Sequence, residues 1–257
     1  MGVDLTVIVL TKNEENNLND LLDNIKSLAA KKVIVDSGST DNTLSIAQRY
    51  NCKVLHRDLK SFADQRNYAL DNSKTDWVLF LDADERLTDE LLTNIPELIE
   101  LGIKENISSF SFRRKTIAFG KELKRAWSDY QPRLINRNNC RYDTKILVHE
   151  DLLVTGKRKN VNSGYIRHFT YQNFEQYLTK MNLYVKMEAR NIGQNDISLT
   201  KLIVEPLLVF FDRLIIKAWI MDGVSGFHAS FTSFIVRFLS LSLARSLKLN
   251  GNIYSKE

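Results

Sequence analysis

Three short clusters of polar residues in this 257-residue chain could do chemistry, and each follows an apolar run. Thr11-Lys12-Asn13-Glu14-Glu15 comes after residues 3–10, Asp36-Ser37-Gly38-Ser39-Thr40-Asp41 closes the run from residue 33, and Asp82-Ala83-Asp84-Glu85 comes after 77–81. Asp82 and Asp84, at alternate positions, repel each other unless a cation lies close. Oxygen ligands with open coordination positions suit Mg²⁺ or Mn²⁺ holding a diphosphate. No glycine lies between Gly2 and Gly38, and no Gly-Lys-Ser/Thr triplet occurs. The first turn is therefore not a glycine-rich dinucleotide loop, and P-loop chemistry is excluded.

The elements that must position these clusters can be read from the apolar spacing. Residues 3–10 are rich in β-branched residues and almost uninterruptedly apolar, the pattern of a strand covered on both faces. Leu18, Leu21, Leu22, Ile25, Leu28 and Ala29 then recur at helical spacing. The alternation continues with a strand at 33–36, a helix capped by Thr40 or Asp41, a strand at 53–56, a helix at 63–70, a strand at 77–81 and a helix at 90–101. Strand and helix alternating in this way predict an open parallel α/β sheet, whose ligands sit beyond the carboxyl ends of its strands. All three polar clusters fall there.

From about 107 to 154 the pattern turns to strand-like pieces without long helices, which predicts an appended mixed sheet. A helix with Phe174, Tyr177, Leu178, Met181, Tyr184 and Val185 on one face follows. Residues 199–250 are rich in Leu, Ile and Phe, yet their longest uncharged stretch, 223–236, has 14 residues, short of a spanning helix. They read as an amphipathic helical pair lying on a bilayer, aided by Lys217, Arg237, Arg245 and Lys248, or as a lid packed on its own domain or a dimer interface. The expected divisions are 1–105, 106–195 and 196–257.

Composition narrows the classes further. At 44% hydrophobic and 26% charged the chain is globular. Cys52 and Cys140 are the only cysteines, which excludes a disulfide framework and a cysteine-based zinc site and suits the cytosol. The N-terminus has no basic segment ahead of its apolar run and reads as a strand rather than a signal peptide. Residues 1–103 hold 11 Lys/Arg and 18 Asp/Glu (net −7), 104–160 hold 14 and 6 (net +8), and the remainder 11 and 7 (net +4). The basic middle points to an anionic partner: a phosphorylated acceptor, a lipid headgroup or nucleic acid. Phe110, Phe112 and Phe119 space as strand core rather than as a stacking platform, which argues against nucleic acid.

Taken together, TKNEEN, VDSGSTDNT, QRN and LDADE resemble the GT-A glycosyltransferases of family 2. The later HE, HFTY and DG are similar to the branch that glucosylates the lipopolysaccharide inner core. The resemblance implies a Rossmann-like, mostly parallel GT-A sheet ending in an amphipathic helical region. It implies that Thr11, Asn13 and Glu14 border the nucleotide and that Asp36 and Asp41 organise the base and ribose pocket. Arg66 would reach the nucleobase, Asp82 the ribose or a metal-bound water, and Asp84 would be the main metal ligand. His168 would add a metal or diphosphate contact, and Trp127 and Arg133 would lie on the acceptor side. Glu150 would be the base, with His149 and Asp129 as alternatives. The activity implied is inverting and uses Mg²⁺ or Mn²⁺, taking glucose from UDP-glucose to an anionic saccharide or glycolipid at the cytosolic membrane face. A polyprenyl-phosphate acceptor, or a nucleic-acid-binding module built on residues 104–160, is the alternative.

Overall fold

A computed structural model describes residues 4–118, 120–144, 151–171, 174–193 and 197–249. The chain forms two compact units: Met1–Lys115 with Asp129–His168, and Thr116–Ser128 with Phe169–Glu257.

In the first unit the expected alternation is present: β1 (Leu5–Thr11), α1 (Glu15–Asn24), β2 (Ala30–Asp36), α2 (Thr43–Arg49), β3 (Lys53–His56), α3 (Phe62–Asp71), β4 (Trp77–Asp82), β5 (Glu85–Leu87) and α4 (Asp89–Glu105). Long strands follow, β6 (Ile107–Ala118), β8 (Asp129–Asn136) and β11 (Lys157–Tyr171), with the short pair β9 (Cys140–Tyr142) and β10 (Leu152–Val154). The main sheet runs β3-β2-β1-β4-β8-β6-β11-β5. Its first four strands are mutually parallel, and β8 joins β4 antiparallel. Side chains of β1 alternate between two cores. Val7 and Val9 pack with Leu18, Leu21, Leu22, Leu91 and Ile95 on one face, while Ile8 packs with Val35, Phe80, Ala69 and Leu70 on the other. Burial on both faces is why the strand reads as one apolar run.

Register then sets the site. Thr11 pairs with Asp36 and Leu10 with Asp82, so three strands end at one edge of the sheet. Asn42, rather than Thr40 or Asp41, occupies the cap position of α2. Asp41 accepts the Thr43 amide at 3.0 Å from one residue further out.

The second unit contains β7 (Lys121–Glu122), which pairs with the end of β6, and the helices α5 (Phe174–Ile192), α6 (Leu199–Phe211) and α7 (Val224–Leu249). A π-helical turn at Asp212–Ile216 and a 3-10 turn at Trp219–Asp222 join α6 to α7. Hydroxyls of Ser230, Thr232, Ser233, Ser240 and Ser242 bond back one turn, which satisfies polar groups inside an apolar helix. Contrary to the expectation from the 14-residue uncharged stretch, Val224–Leu247 is long and apolar enough to cross a membrane by length and composition, because the helix runs on past Arg237. Of the α5 face expected to be buried, Tyr177 and Val185 are, while Phe174, Leu178 and Tyr184 are exposed. The unit is unusual in what it leaves outside. Among the described residues, 19 of the 25 exposed large apolar side chains belong to it, most of them on α6, the two turns and α7.

Candidate active site at the carboxyl ends of the strands

The first two polar clusters are laced together. Asp36 accepts the Thr11 hydroxyl at 3.0 Å, the Ser39 hydroxyl at 2.5 Å and the amides of Gly38 and Ser39 at 2.8 Å each. Gly38 adopts φ +88°, a left-handed conformation that costs glycine little. Asn13, itself at φ +56°, donates its amide to Ser39 and accepts the Thr40 amide through Oδ1 at 2.8 Å. Asp41 accepts from the Glu15 amide and the Thr43 hydroxyl, and that hydroxyl also accepts the Glu14 amide. Burial pushes the Asp36 and Asp41 carboxyls up, but these hydrogen bonds outweigh it and hold both below the ordinary range. Thr11, Asn13, Asp36 and Asp41 thus spend most of their bonding capacity shaping two rigid turns. Glu14 lies in the same lattice and accepts from Asn17 at 2.8 Å.

The QRN segment of α3 reaches three places. Gln65 donates to Ser37 at the end of β2, and Asn67 exchanges two hydrogen bonds with the Tyr142 backbone. Between them Arg66 lies 3.8 Å from Asp82, its guanidinium 5.2 Å from the Tyr142 ring centroid.

At the end of β4 the chain turns sharply through Asp82–Glu85, and the Glu85 carboxylate accepts the Asp82 amide at 3.0 Å. Arg86 staples the turn to α1, donating to the carbonyls of Ala83, Glu85 and Asn17. Arg133 is the centre of the charge network. It donates to Asp82 at 2.7 Å and to Glu85 at 2.5 Å, and it is almost entirely buried. Its aim comes from a β-bulge. Phe110 pairs with Leu134 and the next residue, Ser111, with Pro132, so Arg133 is the extra residue of β8. Burial pushes the Asp82 carboxyl up, but Arg133 and Arg66 prevail and hold it at about 2. Glu85 goes the other way: complete burial raises it, and Arg133 offsets only part of that.

β11 pairs antiparallel with β5 so that His168 faces Glu85 in register. Its imidazole Nε2 lies 3.5 Å from Asp84 Oδ2, and both side chains are largely buried. Among the described residues no group of three or more His, Cys, Asp or Glu side chains is placed to hold a metal. Asp84 and His168 supply one oxygen and one nitrogen donor side by side, a set that fits Mn²⁺ or Mg²⁺ when phosphate and water fill the other positions.

Asp82, Asp84, His168 and Arg66 therefore converge beside the laced turns. Glu150 and His149 lie outside the described residues, and Asp129 is held by Arg114 at 3.2 Å and by Gln131 at 2.7 Å. Trp127 belongs to the second unit, where it packs on Trp219. Sequence reasoning missed Glu85 and Arg114. A third acid in the same turn as an Asp-x-Asp pair was a signal that a cation must be buried nearby, but its partner lies 48 residues away.

Comparison with known proteins agrees with this geometry. The profile of glycosyl transferase family 2 matches residues 6–151. The lipopolysaccharide core biosynthesis glycosyltransferase LpsC of Rhizobium meliloti is 28% identical over 92% of this chain and 90% of its own. An uncharacterised glycosyltransferase of Rickettsia conorii is 25% identical over 96% and 92%. The crystal structure of S. aureus TarS 1–349 in complex with UDP-GlcNAc shares the fold at a TM-score of 0.51, with 15% identity over 96% of this chain and 91% of that one. With a GT-A-like sheet, strand-end acids in the expected order and a family match over more than half its length, the chain belongs to glycosyl transferase family 2 and is a glycosyltransferase.

Proposed function

We propose that this enzyme transfers glucose from UDP-glucose, with inversion, to an anionic saccharide of the lipopolysaccharide-core type at the cytosolic membrane face. The observation that carries the reading is the pairing of Asp84 with His168 at 3.5 Å beside an Asp82 held ionised by Arg133 and Arg66. An oxygen and a nitrogen donor side by side support a divalent-ion site at the strand ends, where ligands of such sheets gather. The name of LpsC supports a lipopolysaccharide-core acceptor, and the UDP-GlcNAc bound to TarS supports a UDP-sugar.

Asp84 and His168 would hold Mg²⁺ or Mn²⁺, which when bound neutralises charge developing on the diphosphate. The remaining work falls to the chain. The laced turns at 11–15 and 36–43 bind and orient the nucleotide with Thr11, Asn13, Glu14, Asp36 and Asp41, and Arg66 adds a cation at its edge. The acceptor hydroxyl oxygen bonds to sugar C1 as the bond from C1 to the diphosphate oxygen breaks. The hydroxyl proton passes to Glu150, and UDP leaves. The exposed apolar faces of α6 and α7 support attachment to a bilayer surface, since patches of this extent on a soluble protein mark an interaction site.

Calorimetric titration with UDP, with and without Mn²⁺ and with CDP for comparison, tests the donor site. Metal-dependent binding selective for UDP is expected. Absence of UDP binding under both conditions would reduce the strand-end carboxylates to loop charges.

A further inference from the structure

In the second unit a buried carboxylate performs an unusual task. Asp222, at the end of the 3-10 turn, accepts three consecutive backbone amides, those of Lys124 at 2.7 Å, Arg125 at 2.9 Å and Ala126 at 2.8 Å. On either side of this clamp Leu123 and Ala126 are buried with Trp219, and Trp127 stacks edge-on to Trp219 at 6.0 Å. The packing is close: Gly226 has no room for a Cβ, which would lie 1.7 Å from the Trp219 carbonyl oxygen. The segment 123–127 is therefore fixed against the turn that carries the exposed Ile220 and Met221, with the exposed Val224 just beyond it at the start of α7. Lys124 and Arg125 are themselves exposed, and neither has an ion-pair partner among the described residues.

The charge balance of the unit selects what meets this surface. By sequence it holds 13 Lys/Arg and 8 Asp/Glu, net +5, which is the whole net charge of the chain. Four of its eight acids are engaged within it: Glu205 and Glu188 with Arg237, Asp212 with Arg213 and Lys217, and Asp222 with the three amides. Arg237 and Lys217, which sequence alone assigns to the bilayer, are thus satisfied within the protein. Aromatic rings follow one another beyond the turn. Phe210 meets Phe227 at 5.7 Å, and Phe227, Phe231, Phe234 and Phe238 stack in succession along α7.

We propose that Lys124 and Arg125, held beside the apolar turn by the Asp222 carboxylate, form a site for the phosphate of an acidic lipid headgroup. The site rests on the membrane reading above and says where that contact is anchored. An apolar edge with adjacent unpaired cations matches an acidic bilayer, whose interface offers acyl chains beside phosphates.

Co-sedimentation of the full chain with phosphatidylcholine vesicles, with and without phosphatidylglycerol, tests it. The wild type should bind the acidic vesicles more tightly. Lys124→Gln/Arg125→Gln should lower that affinity about 30-fold, roughly fivefold for each cation. Its binding to neutral vesicles and to UDP should be unchanged, and Lys124→Arg should behave as wild type. If the double variant binds acidic vesicles as tightly as the wild type, the headgroup site is wrong and the membrane reading stands. Failure of the wild type to bind either vesicle overturns both, and a dimer in ultracentrifugation would then assign the apolar face to a second copy.

Discussion

Replacing Arg133 by methionine leaves Glu85 completely buried without its 2.5 Å partner, and the remaining guanidinium of Arg114 lies 3.9 Å away. Removing one member of a buried pair costs roughly 3–5 kcal/mol. At about 2–4 °C per kcal/mol for a chain of this size, the melting midpoint should fall by about 6–20 °C. The pH dependence has a definite sign. Burial already raises the Glu85 carboxyl, and loss of Arg133 raises it further. Between the unfolded value, about 4.3, and that raised folded value, the folded chain binds a proton that the unfolded chain does not, so stability rises as pH falls. The deficit of Arg133→Met should therefore shrink between pH 7 and pH 5. Glu85→Gln in the same chain removes the stranded charge and should recover most of the lost stability. It should not recover turnover, because Asp82 still lacks its 2.7 Å partner. Thermal melts at both pH values, with kcat/KM on each variant, read every arm of the cycle. A single variant melting within about 2 °C of wild type at pH 7, or a deficit that grows on acidification, would refute the reasoning.

Other substitutions probe the remaining parts of the site. Asp84→Asn should abolish metal-dependent UDP binding in calorimetry and lower kcat/KM by at least about 10²-fold. Glu150→Gln should leave UDP affinity intact while removing transfer, and loss of both would make the residue structural. Asp36→Asn weakens the acceptor of four hydrogen bonds and should cost about 1–3 kcal/mol in urea melts at pH 7. Because the folded Asp36 carboxyl is held low, its contribution is full above about pH 4 and fades as pH falls through the folded value. The gap between the variant and wild type should close in that acidic window. Gly226→Ala forces a methyl into the Trp219 backbone and should destabilise by about 1–3 kcal/mol or more, seen as a lower midpoint by tryptophan fluorescence.

The parallel half of the fold was legible because its signals are local. A strand buried on both faces must be apolar throughout, and a crossover helix must carry an apolar stripe, so residues 5–105 announce their order without a partner in view. The strand-end clusters were legible for the same reason: polar residues that stop an apolar run mark the sheet edge where ligands gather. Their hydrogen-bond partners were not. That Asp36 and Asp41 build turns while Asp84 faces His168 depends on register between β1 and β2 and between β5 and β11, set by contacts 25 to 83 residues apart. The resemblance put Arg133 on the acceptor side, whereas a one-residue bulge opposite Phe110 and Ser111 turns it inward as the buried counter-ion of Asp82 and Glu85. Likewise the apolar tail was plain in the composition, but the cations beside its turn come from residues 124 and 125, almost a hundred positions away. Hydrophobic periodicity is written along the chain, so sequence alone determines which elements form. Charge pairing and backbone hydrogen bonds depend on distances of a few ångströms between remote segments, and only the folded chain sets those.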